Sequence, residues 1–196
     1  MPVTDYASFQ VLNYHYATQW REQYPTGDHW DAPEGGRARL FGYVHRREMH
    51  PLRWWPAAWA LRGCRSILEY GAGAAPFAHG LVTAWPFRLP ALTVSDTPGL
   101  LAAYCVHRFA DLPRVTVMEA EASLSHTYDG LVCTEVFEHL PDPFLTATRF
   151  MHCAPRIAFD YVDDGHPQRT AVLTLFHAQG HLTGPDPRGL YLWRRR

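Results

Sequence analysis

The sequence predicts an α/β protein: a doubly wound, mostly parallel sheet with an N-terminal helical cap. Three observations predict it. Short apolar runs of β-type residues recur at regular intervals after Gly63. Helix-length segments separate these runs, and two of them open on a capping residue followed by proline. Before Gly63 the chain has a different character, rich in aromatics and His and without that alternation. Strands that alternate with helical segments build βαβ units, and βαβ units build parallel sheets.

In chain order, residues 1–62 are expected to form two or three helices lying as a cap or lid on a main domain of residues 63–196. The expected strands are SILEY (66–70), LTVSD (92–96), VTVME (115–119), GLVCTE (130–135) and RIAFDYV (156–162). Thr97-Pro98 and Asp142-Pro143 mark helix starts, because a Thr or Asp side chain caps free N–H groups and proline tolerates the first helical position. A helix over about 168–179 and a strand near 189–194 would complete the layer. The segment 164–189 is open between acceptor contacts and scaffold.

Composition excludes several chemistries. The chain has 196 residues, 47% of them hydrophobic, which is ample for a core. All 18 basic residues are Arg and none is Lys. That removes Schiff-base lysines, phosphate-loop lysines and Ser–Lys dyads. The formal charge of -1 argues against general nucleic-acid binding. No apolar run approaches the ~18 residues of a membrane helix, so no membrane span is expected. MPVTDYASFQ lacks a basic region and an apolar run, so no secretory signal is expected. Cys64, Cys105, Cys133 and Cys153 are scattered, which fits buried thiols in a reducing, cytoplasmic setting.

The chemistry concentrates in Leu68-Glu69-Tyr70-Gly71-Ala72-Gly73-Ala74-Ala75, between the first strand and a helix. Gly71 and Gly73 permit a tight turn and close ligand approach, and the helix N-terminus beyond offers free N–H groups. Asp96 ends the next strand, 25 residues after Gly71, close to the ~20 expected of a ribose-binding acid. A dinucleotide fingerprint needs glycine where Pro76 stands. Glu69, two residues before Gly71, suits a cationic ligand better than a pyrophosphate. A sulfonium-bearing adenosine ligand fits both facts.

With these residues in hand, the chain resembles the class I S-adenosylmethionine-dependent methyltransferases. The acid-x-G-x-G motif falls on Glu69, Gly71 and Gly73, with Ala75 in place of the usual third glycine. Residues 128–143, YDGLVCTEVFEHLPDP, resemble the family's block at the fourth strand. The resemblance covers about residues 63–163 and implies a Rossmann-like methyltransferase fold; the segment beyond is shorter than the family's usual ending, which puts the full seven-strand sheet in question. The resemblance also implies S-adenosyl-L-methionine as cofactor and a small-molecule acceptor methylated at oxygen or nitrogen. Cofactor contacts are then expected at Glu69, Gly71, Ala72, Gly73, Asp96, Thr97, Thr134 and Glu135, with the adenine edge on Glu119-Ala120-Glu121, Glu121 being the favoured position, and Tyr14 closing over the site. Glu69 could equally hold the glycine loop through backbone N–H groups.

His139 is the expected general base if the acceptor must lose a proton, with His45, His50, His166 and His177 as alternatives. The E-x-x-E-H cluster of Glu135, Glu138 and His139 also resembles the metal site of small-RNA 2′-O-methyltransferases, with His177 or His181 as a fourth ligand. That rival predicts a divalent ion; the reading adopted here has none. A non-catalytic cofactor-binding module is the other rival. TEVF (134–137) is not the D/N-P-P-aromatic form of enzymes acting on DNA bases or glutamine. The aromatics Tyr14, Tyr16, Trp20, Trp54, Trp55 and Trp59 are packing residues or a lid. Arg37, Arg39, Arg46, Arg47 and Arg53 could read an anionic part of the acceptor.

Overall fold

Parallel strands buried on both faces read as unbroken apolar runs, and the central strands of this protein do so. The computed structural model describes residues 51–85, 88–161, 167–187 and 189–196. Strand β1 (Ser66–Tyr70) is buried from Ile67 onward and β4 (Gly130–Cys133) along its whole length. They pair in parallel, Glu69 opposite Val132. On the other side β1 pairs with β2 (Ala91–Asp96), and β2 with β3 (Val115–Glu119). Beyond β4 lie β5 (Arg156–Phe159), then β7 (Tyr191–Arg195), then β6 (Gly180–Thr183) at the edge. The order is β3-β2-β1-β4-β5-β7-β6, with β7 antiparallel to both neighbours. The chain runs outward from β1 to β3 and returns to lay β4 beside β1. The crevice between β1 and β4 is therefore the switch point, where ligands bind in open α/β sheets.

Helices cover both faces. On one lie α1 (Pro51–Ala60), α2 (Pro76–Ala84) and α3 (Leu100–Arg108), whose Trp54, Phe77 and Cys105 pack with Ile67, Val94 and Val132. On the other, α5 (Pro143–Cys153) and α6 (Arg169–Gln179) bring Phe150 and Phe176 against Leu68, Leu131 and Phe159. The one-turn helix α4 (Ala120–Ser123) follows β3. The alternation Ile67/Leu68 and Leu131/Val132 divides the core into these two layers, as a period-2 strand must.

The five strands after Gly63 form where the β runs stand, and the seventh strand is present. Several boundaries move for local reasons. Asp142 caps α5 as expected, accepting the Leu145 N–H at 2.9 Å. Thr97 does not open α3: its N–H and hydroxyl both donate to Asp96 Oδ1, and the helix starts at Leu100 behind Gly99. β4 stops at Cys133 and β5 at Phe159, short of 135 and 162. His177 lies on α6 and His181 on β6, because the helix ends at Gln179; the two do not share a helical face. Gly180 follows that end in extended conformation, and glycine is needed there because the Trp193 ring occupies the space a Cβ would take. Of the expected N-terminal cap, α1 is described. Tyr14, Tyr16, Trp20, His45, His50, His166 and the arginines from Arg37 to Arg47 lie outside the described residues.

Candidate functional site

Parallel register brings the carboxyl ends of β1, β2, β4 and β5 to one edge of the sheet. The glycine turn leaves β1 there through three left-handed residues: Gly71 (φ 63), Gly73 (φ 56) and Ala75 (φ 56). Gly71 is required twice over, because a Cβ there would also overlap the Val136 side chain. Ala75, at the usual third glycine, holds a conformation that glycine adopts more readily.

Two carboxylates pin the turn. Glu69 is 6% exposed; its Oε1 accepts the Phe77 N–H at 3.0 Å and its Oε2 the Ala78 N–H at 2.8 Å. It thus satisfies two free donors at the N-terminus of α2 and sits at the positive end of that helix. Burial pushes the Glu69 carboxyl up to about 8, against the pull of those two N–H bonds. Asp96 Oδ2 accepts the Gly73 N–H at 2.5 Å and Oδ1 the Thr97 N–H at 2.7 Å. Burial raises its carboxyl too, and these hydrogen bonds oppose the rise. Oδ1 also accepts the Thr97 hydroxyl at 3.3 Å, so Oδ2 keeps one open lone pair for a ligand hydroxyl, and a second ligand hydroxyl would take the place of Thr97 Oγ1.

Beside the turn opens a cavity of about 360 Å³. Glu69, Tyr70, Gly71 and Ala72 border it from β1 and the turn; Thr134 and Glu135 border it from the exit of β4. Asp160 follows β5 into it, and Asp186 and Leu190 reach it from the β6–β7 loop. Trp54, Pro56 and Ala57 of α1 wall the remaining side. The segment left open in the sequence therefore contributes to the cavity through Asp186 and Leu190.

Glu69, Gly71, Ala72, Thr134 and Glu135 thus meet at one cavity. Gly73, Asp96 and Thr97 form the neighbouring part of the turn and are not among its described lining residues. Glu121, on α4, pairs with Arg149 of α5 at 2.7 Å. His139 ends a 3-10 turn (Phe137–His139) and is exposed. Among the described residues, no three His, Cys, Asp or Glu side chains are grouped to hold a metal ion. All four cysteines are free thiols. No described helix is long and apolar enough to cross a membrane. Sequence reasoning missed Asp160, although an acid at the end of a parallel strand is the signal that found Asp96. Asp186 lies in an aperiodic Gly/Pro-rich loop with no such signal.

No family model matches the chain, and no curated protein matches it. Solved structures do. The N-terminal domain of EvdMO1, crystallised in the presence of SAH and D-fucose, aligns over 77% of this chain and 84% of its own, at 12% identity and TM-score 0.59. The pyocyanin biosynthetic protein PhzM aligns over 96% and 71%, at 14% identity and TM-score 0.61. A putative methyltransferase from Pseudomonas syringae aligns over 79% of this chain and its whole length, at 19% identity and TM-score 0.54. Strand order, the glycine turn at the switch point and these likenesses agree: the chain has the Rossmann-like fold of the class I S-adenosylmethionine-dependent methyltransferases.

Proposed function

We propose that the protein binds S-adenosylmethionine and transfers its methyl group to a small-molecule acceptor, at oxygen or nitrogen. One observation carries this reading. A buried acid, a left-handed glycine turn and a second acid at the end of the next strand stand together at the switch point, beside a cavity. Asp96 would take the ribose hydroxyls, and the Glu69–Ala72 and Thr134–Glu135 edges would take the aminoacyl end. A solved neighbour with SAH bound supports the cofactor part of this reading.

When bound, S-adenosylmethionine supplies an electrophilic methyl on a good leaving group, so no strong catalytic residue is needed. The chain's part is to align the acceptor with that methyl and to exclude water, which the wall of Trp54, Ala57 and Leu190 favours. His139 is the candidate to accept a proton from an acceptor that must lose one. His139→Ala then lowers turnover by about a hundredfold and leaves S-adenosylhomocysteine affinity unchanged. A panel of phenols, alcohols and amines, followed by S-adenosylhomocysteine release, checks this.

Calorimetric titration tests the cofactor. S-adenosylmethionine and S-adenosylhomocysteine bind the wild type and NAD does not. Asp96→Ala weakens both sulfur nucleotides at least tenfold, since it removes charge-assisted hydrogen bonds. Asp96→Asn keeps an oxygen for the Gly73 amide and separates loss of the turn from loss of the ribose contact. Binding of NAD without either sulfur nucleotide overturns the reading.

A further inference from the structure

Glu135 has φ 56, in the left-handed region that non-glycine residues rarely occupy. Such a conformation persists where neighbours over-determine it, and it clusters at ligand sites. The neighbour here is Asp160. The β4–β5 ladder ends with the Asp160 N–H donating to the Cys133 carbonyl at 3.3 Å. Asp160 Oδ1 then accepts the Glu135 N–H at 2.6 Å. A side-chain oxygen thus takes the place of the next ladder carbonyl, and the backbone of β4 turns out of the sheet instead of continuing. On its other side the loop is held where Val136 lies against the Cα of Gly71. The loop is pinned between the ends of the strands flanking β4, and both Glu135 and Asp160 border the cavity.

We infer that Asp160 is a positioning residue: by accepting the Glu135 amide it fixes the left-handed turn at Thr134–Glu135, and with it the cavity edge that holds the aminoacyl end of the sulfur nucleotide. This rests on the cofactor reading above. Asp160 acts through the backbone of its neighbour, as a hydrogen-bond acceptor.

Two measurements on the full chain test it. The first is amide hydrogen exchange of the ligand-free wild type by NMR, which needs no cofactor. The Glu135 amide is expected to be protected and shifted downfield, as a short bond to a carboxylate requires. Exchange at the rate of an unprotected amide overturns the inference. The second is calorimetric titration with S-adenosylhomocysteine. Asp160→Ala is expected to weaken binding at least tenfold. Asp160→Asn, which retains an acceptor oxygen, is expected to stay within about threefold of wild type. Unchanged affinity in Asp160→Ala overturns the inference. Equal loss in Asp160→Asn also overturns it, because binding would then depend on the charge of Asp160 and not on its acceptor oxygen. If Asp160→Ala does not fold, Asp160→Asn and the amide exchange decide between the same outcomes. Failure of the wild type to bind S-adenosylhomocysteine removes the cofactor reading, a result separate from failure in the variants.

Discussion

Two glycines on either side of β1 show how conformation and sterics add. Gly63 has φ 82 and open space around its Cα, while Gly71 has φ 63 and Val136 against it. Gly63→Ala should therefore cost only the left-handed backbone term, roughly 1–2 kcal/mol. Gly71→Ala should add an overpacking term, typically ~1–3 kcal/mol. Denaturant unfolding of the pair checks this, and equal costs would mean that Val136 moves aside freely. Glu69 gives a prediction in pH. Its folded carboxyl lies near 8, above the 4.5 of the unfolded chain. Between those values the folded state holds more protons, so this group stabilises fully below about 4.5 and that contribution is lost as pH rises toward 8. Asp96 is shifted in the same direction. Wild-type unfolding free energy should fall between pH 5 and pH 8, more steeply than in Glu69→Gln. Equal slopes would show that Glu69 does not cause the fall. At this scale the sequence revealed the residues whose type is unusual for their place, Glu69 and Asp96. It did not reveal Asp160, whose role depends on a bond to a residue 25 positions away.

The junction of α1 with α2 is the element that sequence periodicity could not supply. Gly80 lies in the middle of α2, where glycine costs about 1 kcal/mol relative to Ala. Its place is explained by Trp54 of α1, whose ring occupies the position a Cβ would take. Close approach of the two helices lets Trp54 be buried and still border the cavity. Gly80→Ala should therefore destabilise in the wild-type background despite its better helix propensity. In a Trp54→Ala background it should stabilise by about 1 kcal/mol, because only the propensity remains. A double-mutant cycle by thermal unfolding measures the change of sign; the same sign in both backgrounds would refute the wedge. The strands were legible because buried parallel strands carry their own signal. The ends of β1, β2 and β3 were legible too; those of β4 and β5 were not, because the Asp160 side chain takes over the next ladder bond from the Glu135 amide. β6 escaped notice because it is four residues long and alternates in burial at a sheet edge.

For the whole molecule, the consequence of the fold is that one sheet edge collects residues from almost the entire described chain. Trp54, Glu69, Glu135, Asp160 and Leu190 belong to five separate segments, and all border one cavity. Alternating strands and helices predicted such an edge, and the switch point followed once β4 lay beside β1. The share taken by α1 and the β6–β7 loop did not follow, because it comes from packing between distant segments. A ligand that bridges these segments must stabilise the fold as a unit. At a hundred times its dissociation constant, a ligand specific for the folded state adds about 2.7 kcal/mol. Each kcal/mol raises the midpoint by roughly 2–4 °C in a chain of this size. Saturating S-adenosylhomocysteine should then raise the unfolding midpoint by roughly 5–10 °C, and NAD should leave it unchanged. Hydrogen exchange should slow together at the carboxyl ends of β1 and β4 and in α1. Slowing confined to the glycine turn would mean that the ligand touches the turn alone and that the cavity serves something else.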